Sequence, residues 1–84
     1  MSTERVMMMG RLAEAEQQRK RLTLKAEGLC ATIRQDISPV LNNIEDMDIP
    51  RAGQMMDELE ITYAELLGLR GQIERLKREL GHGQ

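Results

Sequence analysis

The sequence predicts an all-α protein: an antiparallel helical hairpin of the coiled-coil type that dimerises into a four-helix bundle. Three observations lead to this fold class. The second half carries a heptad repeat of apolar residues, the middle carries an acidic segment with two prolines, and Tyr63 is the only aromatic residue. Because compact cores usually depend on aromatic side chains for buried area, a narrow helix–helix seam fits this composition better than a globular core.

The heptad repeat predicts the second helix, over residues 50–80. One set of apolar residues recurs every seven positions: Ala52, Leu59, Leu66, Ile73 and Leu80. A second set follows three residues after members of the first: Met55, Leu69 and Leu76, with Thr62 as the polar exception. This a/d spacing is typical of a helix that buries one stripe against another helix. We expect Gly81 to end the helix and residues 81–84 to fray.

A similar stripe predicts the first helix, over residues 3–37. Its members recur at steps of three, four or seven: Met8, Leu12, Ala15, Leu22, Ala26, Leu29 and Ile33. Arg19 interrupts the stripe, and its stem is long enough to lie along the seam while its charge stays in water. Cys30, the only cysteine, has apolar neighbours at helical spacing, which favours a small buried residue. The alternative is an interchain disulfide across a two-fold axis.

Residues 39–49 are predicted to connect the helices through a short helix and a turn. Pro39 disfavours helical geometry in the residue before it, so the first helix should stop near Ile37. A short helical piece from Val40 to about Glu45 would point its apolar residues at the core. The turn follows at residues 46–50, where the Asp48 carboxylate suits the start of the second helix.

Charge is unevenly distributed along the chain. Residues 37–65 hold seven acidic groups and one basic group, whereas residues 1–36 and 66–84 are mildly basic. A turn centred near Met47 would place residues whose numbers sum to about 95 opposite each other. The open end of the hairpin would then collect the basic residues that are candidates for phosphate contact: Arg19, Lys20, Arg21, Lys25, Arg75 and Arg78. The alternative is a solvated face of mixed charge.

Self-association is expected because a lone two-helix hairpin buries little surface. The second helix also has an apolar strip outside the heptad seam, formed by Met56, Tyr63 and Leu67. Flanking charges such as Glu58, Glu65 and Lys77 either select a partner or form a solvated rim. The residues predicted for the oligomer interface are Met55, Leu59, Tyr63, Leu66, Leu69, Ile73, Leu76 and Leu80.

The chain lacks the residue patterns of catalysis and of cofactor or metal binding. The single histidine, His82, lies in the glycine-rich tail, where a general base would be poorly oriented. There is no Cys/His cluster and no phosphate-binding loop, and Asp46-Met47-Asp48 lacks the glycine and closing glutamate of a calcium loop. We therefore expect no enzyme activity, no cofactor and no metal. The absence of a signal peptide or membrane span predicts a cytoplasmic protein without membrane contact.

The stretch from Leu22 to Leu29, the acidic proline-containing segment from Asp36 to Pro50 and the closing Leu66–Gly81 helix resemble small early-region proteins of Mu-like transposable prophages. The resemblance covers most of the chain and implies a bacterial cytoplasmic protein that binds a host or phage component. It carries no functional residues. The leading hypothesis is a non-enzymatic protein–protein interaction module that forms homodimers. Its protein partner is not identified by the sequence. The alternative is a nucleic-acid-associated accessory or regulatory protein.

Overall fold

The protein is a helical hairpin, as the heptad pattern predicts. The computed structural model describes residues 2–82, without the side chain of His82. Helix α1 spans Thr3–Asp36 and helix α2 spans Ile49–His82, with a single 3-10 turn at Ile44–Asp46 between them. The two long helices pack antiparallel along their length, and the molecule is a rod of 63 × 16 × 15 Å.

The seam between the helices consists of the residues at heptad spacing. Its fully buried apolar members are Ala15, Ala52, Ile73 and Leu76, and the other members are half-buried. Thr62, the polar exception, is 1% exposed, and its hydroxyl donates a hydrogen bond of 2.9 Å to the carbonyl oxygen of Glu58 in the preceding turn. The hydroxyl therefore enters the seam without leaving an unsatisfied polar group.

Helix α1 ends one residue before the predicted position. The amide of Ile37 still donates to the carbonyl oxygen of Ile33. The side-chain amide of Asn42 then donates a 2.8 Å hydrogen bond to the carbonyl oxygen of Gln35. This bond satisfies one of the last carbonyl groups of the helix and folds the chain back after Pro39.

The prediction of a short helix from Val40 to Glu45, with its apolar residues against the core, is wrong. Residues 38–42 form a turn closed by the amides of Leu41 and Asn42, which both donate to the carbonyl oxygen of Ser38. Only Ile44–Asp46 is helical, as a 3-10 turn. Val40 is 92% exposed, Leu41 67% and Ile44 69%. A tight turn at the tip of the rod leaves these side chains with no helix to pack against.

Helix α2 begins where the acidic segment predicts it. The Asp48 carboxylate accepts a 3.1 Å hydrogen bond from the backbone amide of Arg51, so Asp48 caps the helix. Pro50, at the second helical position, has no amide hydrogen to leave unpaired. Gly81 does not end the helix, because α2 continues to His82. Of the four residues predicted to fray, 81 and 82 are helical. Residues 83 and 84 lie outside the described residues.

The pairing register also differs from the prediction. Arg5 contacts Leu80 and Asp36 lies beside Arg51, so the crossover is centred near residue 43 rather than near Met47. The reason is that the whole segment 37–48 forms the connection, not the five residues 46–50 alone. Compared with the predicted pairing, each helix is therefore shifted along its own axis by about four residues, or about 6 Å.

Cys30 is exposed, so its prediction as a buried core residue is wrong. It follows Leu29 in the seam directly, and successive helical residues point in directions about 100° apart. Its side chain therefore lies on the flank of the hairpin, where it adds nothing to the seam.

Candidate interaction surfaces

The seam uses most of the residues that were predicted to form the oligomer interface. Seven of the eight are buried or half-buried against α1 of the same chain: Met55, Leu59, Leu66, Leu69, Ile73, Leu76 and Leu80. Five of the seven keep part of their surface exposed, and contact of these residues with a second copy stays a prediction. Tyr63 alone remains on the outside, at 59% exposed.

Tyr63 belongs to an exposed apolar strip on α2. This outer strip consists of Met56, Tyr63 and Leu67, which follow one another at steps of seven and four residues. All three are exposed. Gly53, three residues before Met56, and Ala64, three residues before Leu67, continue this surface with small side chains, which would let another backbone approach closely. The outer strip is therefore a candidate surface for helix packing.

A second exposed apolar surface lies at the turn. The turn-end cluster consists of five aliphatic residues that are all exposed: Ile37, Val40, Leu41, Ile44 and Ile49. Carboxylates surround it, since Glu45, Asp46 and Asp48 are exposed in the same connection. Sequence reasoning missed this surface. The available signal was that its residues fall outside the seam periodicity of either helix, which ends with Ile33 in α1 and begins with Ala52 in α2.

The opposite end of the rod, where α1 begins and α2 ends, is apolar and basic. Val6, Met7 and Met9 are each about half exposed, and they make up, with the half-buried Met8, the methionine segment. Arg5 and Arg11 flank this segment in sequence. This is the open end of the hairpin, and its basic groups also include three from α2: Arg75, Lys77 and Arg78.

The six candidate phosphate contacts do not meet at one end. In the observed register Arg75 and Arg78 lie at the open end, whereas Lys25 is near the middle of the rod and forms a 3.1 Å ion pair with Glu58. Arg21 donates a hydrogen bond of 2.8 Å to Gln18. A phosphate backbone would meet scattered and partly paired charges rather than a basic patch. The predicted clustering of these residues is thus wrong, and their contact with nucleic acid stays a prediction.

Two charges flanking the seam of α2 pair within the hairpin. Glu58 pairs with Lys25, and Lys77 lies 3.7 Å from Glu16, both across the two helices. All four side chains are about half exposed, so each pair stabilises the fold by well under 1 kcal/mol. Their contribution is to orientation: they match this register of α1 on α2.

Asp36 and Arg51 form a third contact between the helices, beside the turn. The Arg51 Nε atom lies 3.6 Å from Asp36 Oδ2, which is slightly too long for a hydrogen bond. That oxygen is buried and accepts no hydrogen bond from the described residues. Because the Asp36 side chain is only 19% exposed, the cation of Arg51 is the group that compensates its charge.

The described residues show no cluster of side chains suited to metal binding. Within residues 2–81, no three His, Cys, Asp or Glu side chains lie close enough to hold a metal ion. One surface depression, around Thr23 and Leu24, is lined by a single face of α1 and so encloses no ligand. The side chain of His82 lies outside the described residues. In the described part of the chain, neither helix is apolar over a stretch long enough to cross a membrane.

The fold and surfaces define a helical hairpin of the coiled-coil type with exposed apolar surfaces along one side and at both ends. No protein-family model matches the chain, and comparisons with curated proteins and with solved structures also found no match. The exposed surfaces are therefore the features of the molecule that bear on its function.

Proposed function

We propose that this protein is a non-enzymatic protein–protein interaction module that associates with a second copy of itself through α2. The observation that carries the proposal is the outer strip, in which Met56 is 49%, Tyr63 59% and Leu67 38% exposed in the hairpin. A helix that is apolar on a second face usually packs against more than one neighbouring helix. The two hairpins would form a four-helix bundle.

The surface area supports association. A compact monomer of this mass is expected to expose about 5,100 Å². The chain exposes 6620 Å². The excess, about 1,500 Å², is larger than the roughly 800 Å² that each partner buries in an interface of ordinary size. One side of the rod can therefore supply a stable dimer contact while the rest stays in water.

The small size of the core also favours association, for an energetic reason. Only four apolar side chains are fully buried in the described residues, and the largest are a leucine and an isoleucine. Burying such a side chain contributes about 1.5–3 kcal/mol, whereas ordering each residue costs about 1–2 kcal/mol. Covering Met56, Tyr63 and Leu67 would add apolar burial to a hairpin that otherwise has little.

The resemblance to small early-region proteins of Mu-like prophages supports a setting for this module. In that setting the dimer acts in a bacterial cytoplasm as a phage accessory protein, and its remaining exposed surface binds a host or phage component.

The test is the solution mass by light scattering, in low and high salt, of the wild-type chain and two variants. We expect the wild type to have twice the 9.6 kDa chain mass. Because apolar contacts do not weaken with salt, this mass should persist in high salt. Tyr63→Asp should be a monomer, since it places a charge in the outer strip.

Leu24→Asp is the matched control. Leu24 is 70% exposed on α1, away from the outer strip, so its replacement introduces the same charge without touching the proposed contact. It should remain a dimer. A wild-type monomer at a concentration of about 100 μM, where micromolar affinity would already give mainly dimer, would refute the proposal. Equal masses for the two variants would also contradict the assignment to the outer strip.

A further inference from the structure

The two ends of the rod are chemically complementary. The turn-end cluster is aliphatic and surrounded by carboxylates, among them Glu45, Asp46 and Asp48. The open end presents the methionine segment, 6–9, and is net basic, with Arg5, Arg11, Arg75, Lys77 and Arg78 against Glu4, Glu74 and Glu79. Methionine side chains are flexible and adapt to irregular apolar surfaces. Each end therefore offers an apolar surface with charge opposite to that of the other.

We propose that the two copies pair antiparallel, so that the turn-end cluster of each receives the methionine segment of the other. This inference rests on the proposed self-association through the outer strip and adds its orientation and a second contact. A two-fold axis relates the copies, so the end contact occurs twice, and the assembly closes at two chains.

Positions along α2 support this pairing. The outer strip is centred near residue 62. Ile49 at the turn lies 13 residues before that centre, and Arg75 lies 13 residues after it, which is about 20 Å in each direction at 1.5 Å per residue. A two-fold axis through the strip therefore brings Ile49 of one copy level with Arg75 of the other. In the observed register, in which Arg5 contacts Leu80, Arg75 is level with about Gly10, directly after the methionine segment.

The charges on α2 favour the antiparallel orientation over the parallel one. The part of α2 before the centre of the strip is net acidic, with Asp57, Glu58 and Glu60 against Arg51. The part after it is net basic, with four basic residues, Arg70, Arg75, Lys77 and Arg78, against three acidic residues, Glu65, Glu74 and Glu79. Antiparallel packing places the acidic half of each α2 beside the basic half of the other. Parallel packing places acidic beside acidic, and it brings the two turn-end carboxylate groups together, which is unfavourable.

Contact through the ends alone would be too small. The rod has a cross-section of 16 × 15 Å. An end-to-end contact thus covers about 240 Å² on each partner, well below the roughly 800 Å² of a stable interface. In side-by-side pairing, the area buried at the two ends adds to the area buried along the outer strip, so the ends need not hold the dimer together alone.

Crosslinking tests the orientation. Two single-cysteine chains are prepared in a Cys30→Ser background, one with Val40→Cys in the turn-end cluster and one with Met7→Cys in the methionine segment. Each is treated with a short bis-maleimide, alone and mixed one to one after unfolding and refolding together. We expect crosslinked dimers in the mixture and few in either chain alone. Crosslinking of Val40→Cys with itself, at a yield above that of the mixture, would overturn the proposal because it indicates parallel pairing.

A chain carrying both cysteines distinguishes a closed dimer from a head-to-tail chain. We expect a single dimer band on a denaturing gel, because both crosslinks join the same two copies. A ladder of larger products would overturn the proposal. The uncrosslinked mass keeps the two proposals separate: a dimer without crosslinks between positions 7 and 40 refutes the orientation only, whereas a monomer refutes the self-association as well.

Discussion

The guanidinium of Arg5 donates a 2.9 Å hydrogen bond from Nη1 to the backbone carbonyl oxygen of Leu80. The contact joins the first turn of α1 to the last turns of α2, 75 residues apart. The last four carbonyl groups of a helix have no partner within the helix, and a cation there also opposes the negative end of the helix dipole. Arg5 therefore closes the open end of the hairpin.

Replacing Arg5 should loosen that end. Arg5→Met keeps most of the length of the side chain but removes the donor, so the last turn of α2 should open more often. A hydrogen bond to a charged donor at this partly buried site stabilises the end by about 1 kcal/mol, which corresponds to about fivefold faster opening. Hydrogen exchange of the amides of residues 77–80 measures the change. Arg11→Met, which removes an arginine with no hydrogen bond or ion pair to α2 among the described residues, should leave these rates unchanged.

The seam should be sensitive to truncation where it is best buried. Ile73 is 3% exposed, so Ile73→Ala removes buried methyl groups and leaves a cavity. The expected loss in the free energy of unfolding is about 2–4 kcal/mol, which is enough to unfold a small hairpin. Urea unfolding followed by circular dichroism measures it. Leu24→Ala deletes a similar volume at an exposed site and should change the free energy by less than about 0.5 kcal/mol.

The polar residue in the seam should be replaceable. Thr62→Val keeps the shape of the side chain and exchanges a hydroxyl for a methyl group. The lost hydrogen bond goes to a carbonyl oxygen that lies within the helical ladder, so its removal leaves no buried group without a partner. We expect Thr62→Val to raise the thermal unfolding temperature slightly. A loss of more than about 1 kcal/mol would mean that the hydroxyl stabilises the seam, contrary to this argument.

Heptad periodicity was sufficient to predict the two helices and the residues that are buried in the seam where they pack together. A seven-residue repeat constrains which side of a helix is buried, and the buried residues Ala15, Ala52, Ile73 and Leu76 all belong to the predicted stripes. Asp48 was also predicted correctly at the start of α2, because a carboxylate before a proline in the first turn is a local signal for a helix start. Such local and periodic signals do not depend on how distant segments meet.

The features that failed depend on the connection. Val40, Leu41 and Ile44 are apolar, and composition alone placed them in the core. The turn at Ser38 instead directs them to solvent. The same segment sets the pairing register, so an error of a few residues in its centre separated Lys25 from the basic end and placed it beside Glu58. Cys30 failed for a different reason: apolar neighbours at helical spacing do not distinguish the seam from its flank.

Two glycines give a final test of the α2 surface. A Cβ atom added at Gly28 or at Gly53 meets no atom within 4 Å in the hairpin, so neither glycine is required by the fold of one chain. Glycine within a helix costs about 0.5–1 kcal/mol relative to alanine. Gly28→Ala and Gly53→Ala should therefore both raise the unfolding temperature under conditions where the chain is monomeric.

The two variants should differ in self-association. Gly53 lies three residues before Met56 and two heptads before Leu67, on the side of α2 that the outer strip occupies. Its missing side chain would permit close approach of the second α2, and a Cβ atom there would push the helices apart. Gly53→Ala should weaken the dimer several-fold, whereas Gly28→Ala, on the exposed surface of α1, should leave its dissociation constant unchanged. Sedimentation equilibrium measures both constants. Because the two substitutions are chemically identical and both stabilise the helix, a difference in dimerisation can arise only from what covers each glycine in the dimer. Equal dissociation constants would place the contact away from Gly53.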